Sequence, residues 1–166
     1  MRLYELDYKS YDHQATDTAI RCKKLRLFDL RLPGEDLSPK TLAVRLYFYV
    51  ISGGRFTIYY AADPLTGSIL HTSYVTGPSF KFPFMHKGDI HIGPCYTSPD
   101  ARGRGLYKQA LHSIHGDHAS GGAHAYMLVA ENNIPSIRGI EASGFQFVGH
   151  AERNPFIKSI YRRIPY

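Results

Sequence analysis

The chain has 166 residues, of which 43% are hydrophobic and 20% charged, which is typical of a folded globular protein. Its length and the lack of linkers or repeats predict one domain, residues 1–166. Without a signal peptide or a run of roughly 18 apolar residues, we expect no membrane association. The two cysteines, Cys22 and Cys95, form no disulfide framework, which favours a cytoplasmic location.

The formal net charge of +6 is compatible with nucleic-acid binding. The basic residues are scattered, however, and form no dense tract. An anionic cofactor or substrate explains the excess of positive charge equally well, so nucleic acid is the less favoured partner. A basic RNA-binding domain remains an alternative.

The first third of the chain predicts one strand and two helices. Arg2 to Lys9 reads as a strand. A helix is expected over Asp12 to Arg31, where Ala15, Ala19, Cys22 and Arg26 lie along one face. Ser38 and Pro39 are typical of a helix start, which predicts a second helix extending to about Ser52.

The rest of the chain alternates strands and helices, with a hairpin among them. This order predicts an α/β (mixed α+β) fold, with a central twisted mixed sheet of about seven strands flanked by about four helices. The predicted strands are Arg55–Ala62, Ser68–Val75, Asp89–Thr97, His124–Ala130, Phe145–Gly149 and Ile157–Ile164, and the helices are Leu106–His118 and Pro135–Gly144.

The most informative segment, Pro99 to Tyr107, reads Pro-Asp-Ala-Arg-Gly-Arg-Gly-Leu-Tyr between a predicted strand and a predicted helix. Gly103 and Gly105 allow a tight bend that frees backbone N–H groups. Those groups and the dipole of the following helix suit an anionic phosphate, and Arg102 and Arg104 add positive charge. The segment therefore predicts a phosphorylated ligand.

A second segment, Asn133-Ile134-Pro135-Ser136 followed by Gly144-Phe145, completes a recognisable pair of motifs. Together the two segments resemble motifs A and B of the GNAT superfamily of N-acetyltransferases. The resemblance implies a GNAT-like fold, acetyl-CoA (coenzyme A) as cosubstrate, a primary amine as small-molecule acceptor, direct acetyl transfer and no metal.

The resemblance also implies which residues bind the cofactor. The loop N–H groups would hold the pyrophosphate, a strand would pair with the pantetheine arm, and the second motif would contact that arm from the other side. The residues concerned are Tyr96 and Thr97 on the strand, Arg102, Gly103, Arg104, Gly105, Leu106 and Tyr107 in the loop, and Asn133 and Ser136 in the second motif.

Two positions depart from the family pattern. Tyr107 stands where the family usually has glycine or alanine, so its ring must point away from the phosphates or the loop must change shape. Ile140 stands where the family often has a tyrosine that protonates the leaving thiolate, so the general acid is unassigned. A non-catalytic acyl-CoA-binding module is therefore an alternative to the enzyme.

The strand before the loop carries the candidate catalytic residues. Pro94 cannot donate a ladder hydrogen bond, which predicts a bulge near Gly93 to Tyr96 or else an edge strand. His91 is a candidate base, and Asp89 lies on the same face by the period-two rule. A packed histidine is the plainer interpretation of His91, and Cys95 is expected to be an inert packing residue rather than a nucleophile.

Two further patterns bear on function. The series His112, His115, His118 and His124 lacks the carboxylates or cysteines of a metal site and favours a solvated helix face. The aromatic segment Ser79 to His86 suits a sugar ring, a plain core or the interface of a homodimer. Residues 80–107 also resemble GNAT members of bacterial surface-polysaccharide synthesis, which implies an amino-sugar acceptor, free or nucleotide-linked.

Overall fold

The computed structural model describes residues 1–8, 21–24 (backbone only), 30–32, 35, 37–118, 123–157 and 160–164. Within this part of the chain there are eight strands and three α-helices. The strands are β1 (Arg2–Asp7), β2 (Arg21–Lys24), β3 (Phe56–Ala62), β4 (Ile69–Thr76), β5 (Ile90–Thr97), β6 (His124–Val129), β7 (Gln146–Arg153) and β8 (Tyr161–Ile164), and the helices are α1 (Pro39–Ile51), α2 (Leu106–His118) and α3 (Ile134–Glu141).

The strands form one mixed sheet in the order β2-β3-β4-β5-β6-β1-β7-β8. Among the described strands, only β5 and β6 pair in parallel, and all other neighbours are antiparallel. The parallel pair forms because α2 carries the chain back to the end of the sheet at which β5 begins. The predicted fold class is thus confirmed, with β5 and β6 at the centre of the sheet.

Helices cover both faces of the sheet. On one face, α2 and α3 bury side chains such as Leu111 and Ile140 against β1, β5 and β6. On the other face, Phe48 of α1 packs against Phe56 and Tyr74, with ring centroids 5.8 and 5.5 Å apart. The alternation of β-strand side chains explains this division, since Tyr59 faces α2 while its neighbours Ile58 and Tyr60 face the α1 side.

The helix boundaries follow local signals that the sequence displays. The Ser38 hydroxyl accepts a hydrogen bond from the N–H of Thr41 at 3.2 Å, and Pro39 takes the first position of α1. α2 runs over the predicted residues, Leu106–His118. α3 begins one residue earlier than predicted, at Ile134.

The helix expected over Asp12 to Arg31 is wrong where the structure describes it. Residues 21–24 form β2, which pairs antiparallel with β3, and Leu30 and Arg31 are not helical. The helical periodicity of this segment is weak, and its backbone forms hydrogen bonds with the edge of β3 instead. Residues 12–20 and 25–29 lie outside the described part of the chain.

Candidate functional site: a cleft between the central strands

The central parallel strands separate early, and this separation opens a cleft. β5 and β6 pair only at Ile90 with Ala125 and at His91 with Tyr126. Beyond these positions the remainder of β5 has no parallel partner among the described residues, although its other edge stays paired with β4. Backbone groups on one edge of β5 are therefore available to a ligand rather than to a neighbouring strand.

The bulge predicted from Pro94 is confirmed. Ser73 of β4 lies opposite Cys95, and Val75 lies opposite Ile92, so the single residue between them on β4 faces two residues of β5. β5 is flanked by β4 and β6, which rules out the alternative of an edge strand. The bulge lies where β5 leaves β6.

A cavity of about 640 Å³ extends from this separation to the start of α2. Its size fits a ligand of cofactor dimensions. It brings together all but one of the residues predicted to bind the cofactor. These are Tyr96, Thr97, Arg102, Gly103, Gly105, Leu106, Tyr107, Asn133 and Ser136, joined by four residues that were not predicted, Cys95, Ala101, Lys108 and Pro135.

The glycine loop has the conformation that its sequence demands. Gly103 and Gly105 have φ values of +76° and +75°, in the left-handed region that favours glycine. Added Cβ atoms would meet no close protein atom, so backbone conformation and not crowding selects glycine in the free protein. The loop leads directly into Leu106, so the unpaired N–H groups of the first turn of α2 border the cavity.

Arg104 is the predicted residue that does not line the cavity. Its guanidinium lies near Asp63 in the β3–β4 turn, where the backbone N–H groups of Thr66 and Leu65 and the charge of Arg104 lower the pKa of the Asp63 carboxyl. Arg102 and Lys108 instead line the cavity and supply its positive charge.

Tyr107 points away from the loop, into the protein. Its ring packs against α3, and a Cβ added at Gly139 would lie only 2.8 Å from two of its ring carbons. Its hydroxyl donates to the sulfur of Met127 on β6 at 4.0 Å. Burial raises the pKa of the Tyr107 phenol, so the phenol keeps its proton. The departure at Tyr107 is thus accommodated without disturbing the glycine loop.

The second motif forms the opposite wall of the cavity. The side-chain oxygen of Asn133 accepts a hydrogen bond from the N–H of Ser136 at 3.3 Å and caps α3. Ile140, 1% exposed, lies in the core between α3 and the sheet. The position that often carries a tyrosine in the resembled family is therefore a packing position in this chain.

A chain of polar side chains, missed by sequence reasoning, joins β4 to the cleft wall. The Ser73 hydroxyl donates to the Cys95 sulfur at 3.2 Å, so its oxygen accepts from Nε2–H of His71 at 2.9 Å. Nδ1 of His71 then accepts from the Thr97 hydroxyl at 2.8 Å. These four residues share one face of the β4–β5 pair, and only the period-two spacing on each strand hinted at their meeting.

These four hydrogen-bonded side chains keep the cleft wall uncharged. Burial lowers the pKa of His71 to about 4, so its imidazole is neutral near pH 7. Burial, partly offset by the Ser73 hydrogen bond, raises the pKa of Cys95 to about 11, so the group is a thiol. A thiol is a poor nucleophile, which agrees with the expectation that Cys95 is inert.

The two candidate catalytic residues lie on the sheet face opposite α2. Asp89 is 3% exposed, and its two oxygens accept from the backbone N–H groups of His86 at 2.7 Å and His124 at 3.0 Å. His91 is 5% exposed and stacks on Phe82 with ring centroids 4.2 Å apart. Burial and the nearby Lys81 ammonium lower the pKa of His91 to about 3, so its imidazole is neutral at pH 7. A catalytic role for either residue stays a prediction.

The solvated helix face predicted for the histidine series is wrong for His115 of α2, which is buried, and His124 of β6 has a carboxylate neighbour. His115 is fully buried, with its Nδ1 3.5 Å from the Tyr8 hydroxyl, and Nδ1 of His124 lies 2.8 Å from a Glu5 oxygen. Among the described residues, no group of three or more histidine, cysteine or carboxylate side chains is arranged to hold a metal ion. Within the same residues, no helix has the length and apolar character to span a membrane.

Comparison with known proteins places the fold. No family model and no curated protein matches the sequence. Solved structures do match. A protein from Novosphingobium aromaticivorans assigned to the GNAT acetyltransferases has a TM-score of 0.57 and 17% identity, over 98% of this chain and 60% of that one. The present chain thus spans less than two thirds of the length of that neighbour.

Two shorter neighbours match over most of both chains. The phosphinothricin acetyltransferase of Sinorhizobium meliloti, solved in complex with acetyl-CoA, has a TM-score of 0.58 and 20% identity, over 83% of this chain and 80% of that one. The Escherichia coli ribosomal-protein-S18-alanine N-acetyltransferase has a TM-score of 0.53 and 18% identity, over 82% and 83%. The chain has the fold of the GNAT acetyltransferases.

Proposed function

We propose that the protein is an N-acetyltransferase that binds acetyl-CoA in the cleft between β5 and β6 and transfers the acetyl group directly to a primary amine. One observation carries the proposal. The glycine loop, the start of α2, the separated edge of β5 and the cap of α3 meet around one cavity, in the fold of known acetyltransferases.

The cavity fits the parts of coenzyme A. The N–H groups from Gly103 to Tyr107 and the side chain of Arg102 would hold the pyrophosphate, because both supply hydrogen bonds to an anion. The edge of β5 at Tyr96 and Thr97 would pair with the amides of the pantetheine arm, as a neighbouring strand would. The side-chain N–H₂ of Asn133 is left to contact the arm, since its oxygen is committed to the helix cap.

The transfer needs an oriented amine, a proton acceptor and a stabilised oxyanion. The bulge in β5 breaks the regular pairing at the point where the cleft ends, which leaves backbone groups available near the reacting carbonyl. His91 is neutral and adjacent to the bulge, so it is the proposed proton acceptor. Its imidazole would take the amine proton directly or through water, and its low pKa makes it a weak base in that role.

We propose an amino-sugar as acceptor, free or nucleotide-linked. Phe80, in the aromatic segment that precedes β5, is 56% exposed, and Tyr96 on β5 is 59% exposed. Exposed aromatic faces suit sugar rings. Exposed aromatic rings also suit the interface of a homodimer, which is the alternative to a sugar site here.

The test is an acetyl-transfer assay that follows free thiol release with acetyl-CoA and separate pools of amines, amino-sugars and nucleotide-linked amino-sugars. Thiol release that depends on an acceptor amine is the expected result. Acetyl-CoA that raises the melting temperature without transfer to any pool would instead support a non-catalytic acyl-CoA-binding module, an alternative favoured by the core position of Ile140.

A third outcome concerns nucleic acid. RNA binding that weakens steeply with salt, in a protein whose melting temperature does not respond to coenzyme A, would support the RNA-binding alternative. The positive charges at Arg102 and Lys108 face the cavity, which favours an anionic small molecule over a nucleic-acid surface.

A further inference from the structure

Lys81 holds its ammonium group among three aromatic rings on the sheet face opposite the cofactor cleft. Its Nζ lies 5.3 Å from the ring centroid of Phe48, 5.2 Å from that of Phe82 and 5.7 Å from that of Tyr161. These rings come from α1, from the segment before β5 and from β8. Three separate segments of the chain thus position one cation.

This cation has no anionic partner in the described part of the chain. Within the described residues, Lys81 forms no ion pair, and no oxygen accepts a hydrogen bond from its Nζ. The ammonium carries three N–H donors, so rings alone leave its hydrogen-bonding capacity unused. Lys81 is partly buried, and burial lowers the pKa of its ammonium, as does the charge of Arg153.

Arg153 places a second positive charge against the Tyr161 ring, close enough to act on the Lys81 ammonium. Its guanidinium carbon lies 5.8 Å from the centroid of the Tyr161 ring, and its Nε donates to the Tyr161 hydroxyl at 3.3 Å. The terminal nitrogens of Arg153 have no carboxylate partner in the described part of the chain. Two like charges held by one tyrosine repel each other, and an anion between them would relieve the repulsion.

Lys81 is connected to the end of the cofactor cleft through the rings of Phe82 and His91. Phe82, which contacts the Lys81 ammonium, stacks on His91 with centroids 4.2 Å apart. A Cβ at Gly93 would lie 3.5 Å from the His91 ring, so that ring abuts the bulge of β5. Among the described residues, the buried Nδ1 of His91 has no hydrogen-bond partner. Phe82 and the His91 ring therefore connect the Lys81 ammonium to the bulge.

We propose that Lys81 and Arg153 bind an anionic group, a carboxylate or a phosphate, carried by the amine that accepts the acetyl group. The inference rests on the proposed function, because it assigns the acceptor side of that reaction. The anion would be held on the α1 face of the sheet, and the amine of the same molecule would reach the bulge, where the acetyl group arrives from the opposite face.

The chemistry of the pair fits such a ligand. Arg153 presents a planar fork that matches carboxylate or phosphate oxygens, and Lys81 presents a point charge. The rings around Lys81 exclude water from one side and strengthen its attraction for an anion. An amine without an anionic group would leave both cations unsatisfied and would bind more weakly.

The test compares acceptors in matched pairs that differ only in the anion. Amino acids are assayed against their amides, phosphoethanolamine against ethanolamine, and glucosamine 6-phosphate against glucosamine. The first comparison isolates the carboxylate and the other two isolate the phosphate. The anionic member is expected to have a kcat/KM at least about tenfold higher, as charge-assisted hydrogen bonds imply.

Variants then assign the preference to residues. Lys81→Gln and Arg153→Gln are each expected to raise KM for the anionic acceptors about tenfold, with little change in KM for the neutral acceptors or for acetyl-CoA. Lys40→Gln is the control, because Lys40 is an exposed lysine at the start of α1 and its loss changes the net charge equally. Transfer to neutral amines as efficient as to their anionic partners would refute the inference and leave the proposed function intact.

A binding measurement tests the site if no acceptor reacts. The melting temperatures of wild type, Lys81→Gln, Arg153→Gln and Lys40→Gln are followed against inorganic phosphate and acetate at constant ionic strength. Phosphate also reaches the glycine loop, so the diagnostic quantity is the difference between variants. A smaller anion-induced rise in both pair variants than in Lys40→Gln supports the site, and equal rises in all four proteins refute it.

Discussion

The ring of Tyr107 on α2 occupies the space that a side chain at position 139 of α3 would need. A Cβ built at Gly139 lies 2.8 Å from both Cδ1 and Cε1 of that ring. Gly139 does not have a positive φ, so the tyrosine and not the backbone demands glycine there. The two residues form one packing unit that joins α2, which borders the cofactor cleft, to α3.

This packing predicts that the effect of Gly139→Ala on the free energy of unfolding changes sign when Tyr107 is also replaced by alanine. In the wild-type background the added methyl group overlaps the ring, and we expect a loss of about 1–3 kcal/mol in the free energy of unfolding. In a Tyr107→Ala background the overlap is absent, and alanine should stabilise α3 by about 0.5–1 kcal/mol relative to glycine. Urea unfolding of the four proteins measures both effects. The same sign in both backgrounds would contradict the pairing.

A second prediction concerns Arg45, which is 1% exposed and anchors α1. Its Nη2 donates to the Glu35 carboxylate at 2.8 Å, and its Nη1 donates to the carbonyl oxygen of Leu30 at 2.7 Å. Glu35→Gln removes the charge that balances a buried guanidinium, so we expect a loss of about 3–5 kcal/mol in the free energy of unfolding.

The double variant Arg45→Met, Glu35→Gln controls for this prediction. It removes the buried cation together with its partner, so its stability should lie well above that of Glu35→Gln alone. Denaturant unfolding compares the two. A double variant less stable than the single variant would show that the contacts of Arg45 matter more than its charge.

The buried histidines predict how stability depends on pH. Burial lowers the pKa of His71 to about 4, and burial and Lys81 lower the pKa of His91 to about 3. In the unfolded chain both imidazoles have a pKa of about 6.5, so below that pH the unfolded state binds more protons than the folded state. The stabilisation is fully present above pH 6.5 and falls with decreasing pH, by up to about 1.4 kcal/mol per pH unit for each histidine.

Chemical unfolding at pH 7.5 and pH 5.0 checks this dependence. Carboxyl groups also titrate below pH 5, so the informative quantity is the difference between wild type and His91→Gln. The variant is expected to lose less stability between the two pH values. An equal loss in both proteins would show that His91 is protonated in the folded state.

The sequence predicted the local parts of the site because each carries a local signal. The φ values at Gly103 and Gly105, the proline of the bulge and the start of α3 all follow from residue types with narrow conformational preferences. The resemblance to motifs A and B, and not a local preference, predicted that the loop and the second motif contact one ligand, and both line the same cavity.

The parts that escaped prediction depend on residues distant in the chain. The polar chain from Thr97 through His71 and Ser73 requires the pairing register of β4 with β5, which the sequence does not display. The rings around Lys81 come from three segments whose meeting depends on the complete sheet. The strand at residues 21–24 was mistaken for helix because the partner that stabilises it, the edge of β3, lies more than 30 residues away (Arg21 pairs with Tyr60).

The most direct test of the account is the binding of acetyl-CoA to wild type, Gly105→Glu and Gly53→Glu, measured by calorimetry. Gly53 has a φ of +59° in an open turn after α1, so its substitution adds the same charge and comparable backbone strain away from the cleft. We predict that wild type and Gly53→Glu bind acetyl-CoA and that Gly105→Glu, with a carboxylate at the pyrophosphate position, does not. Equal binding by all three proteins would contradict the assignment of the loop.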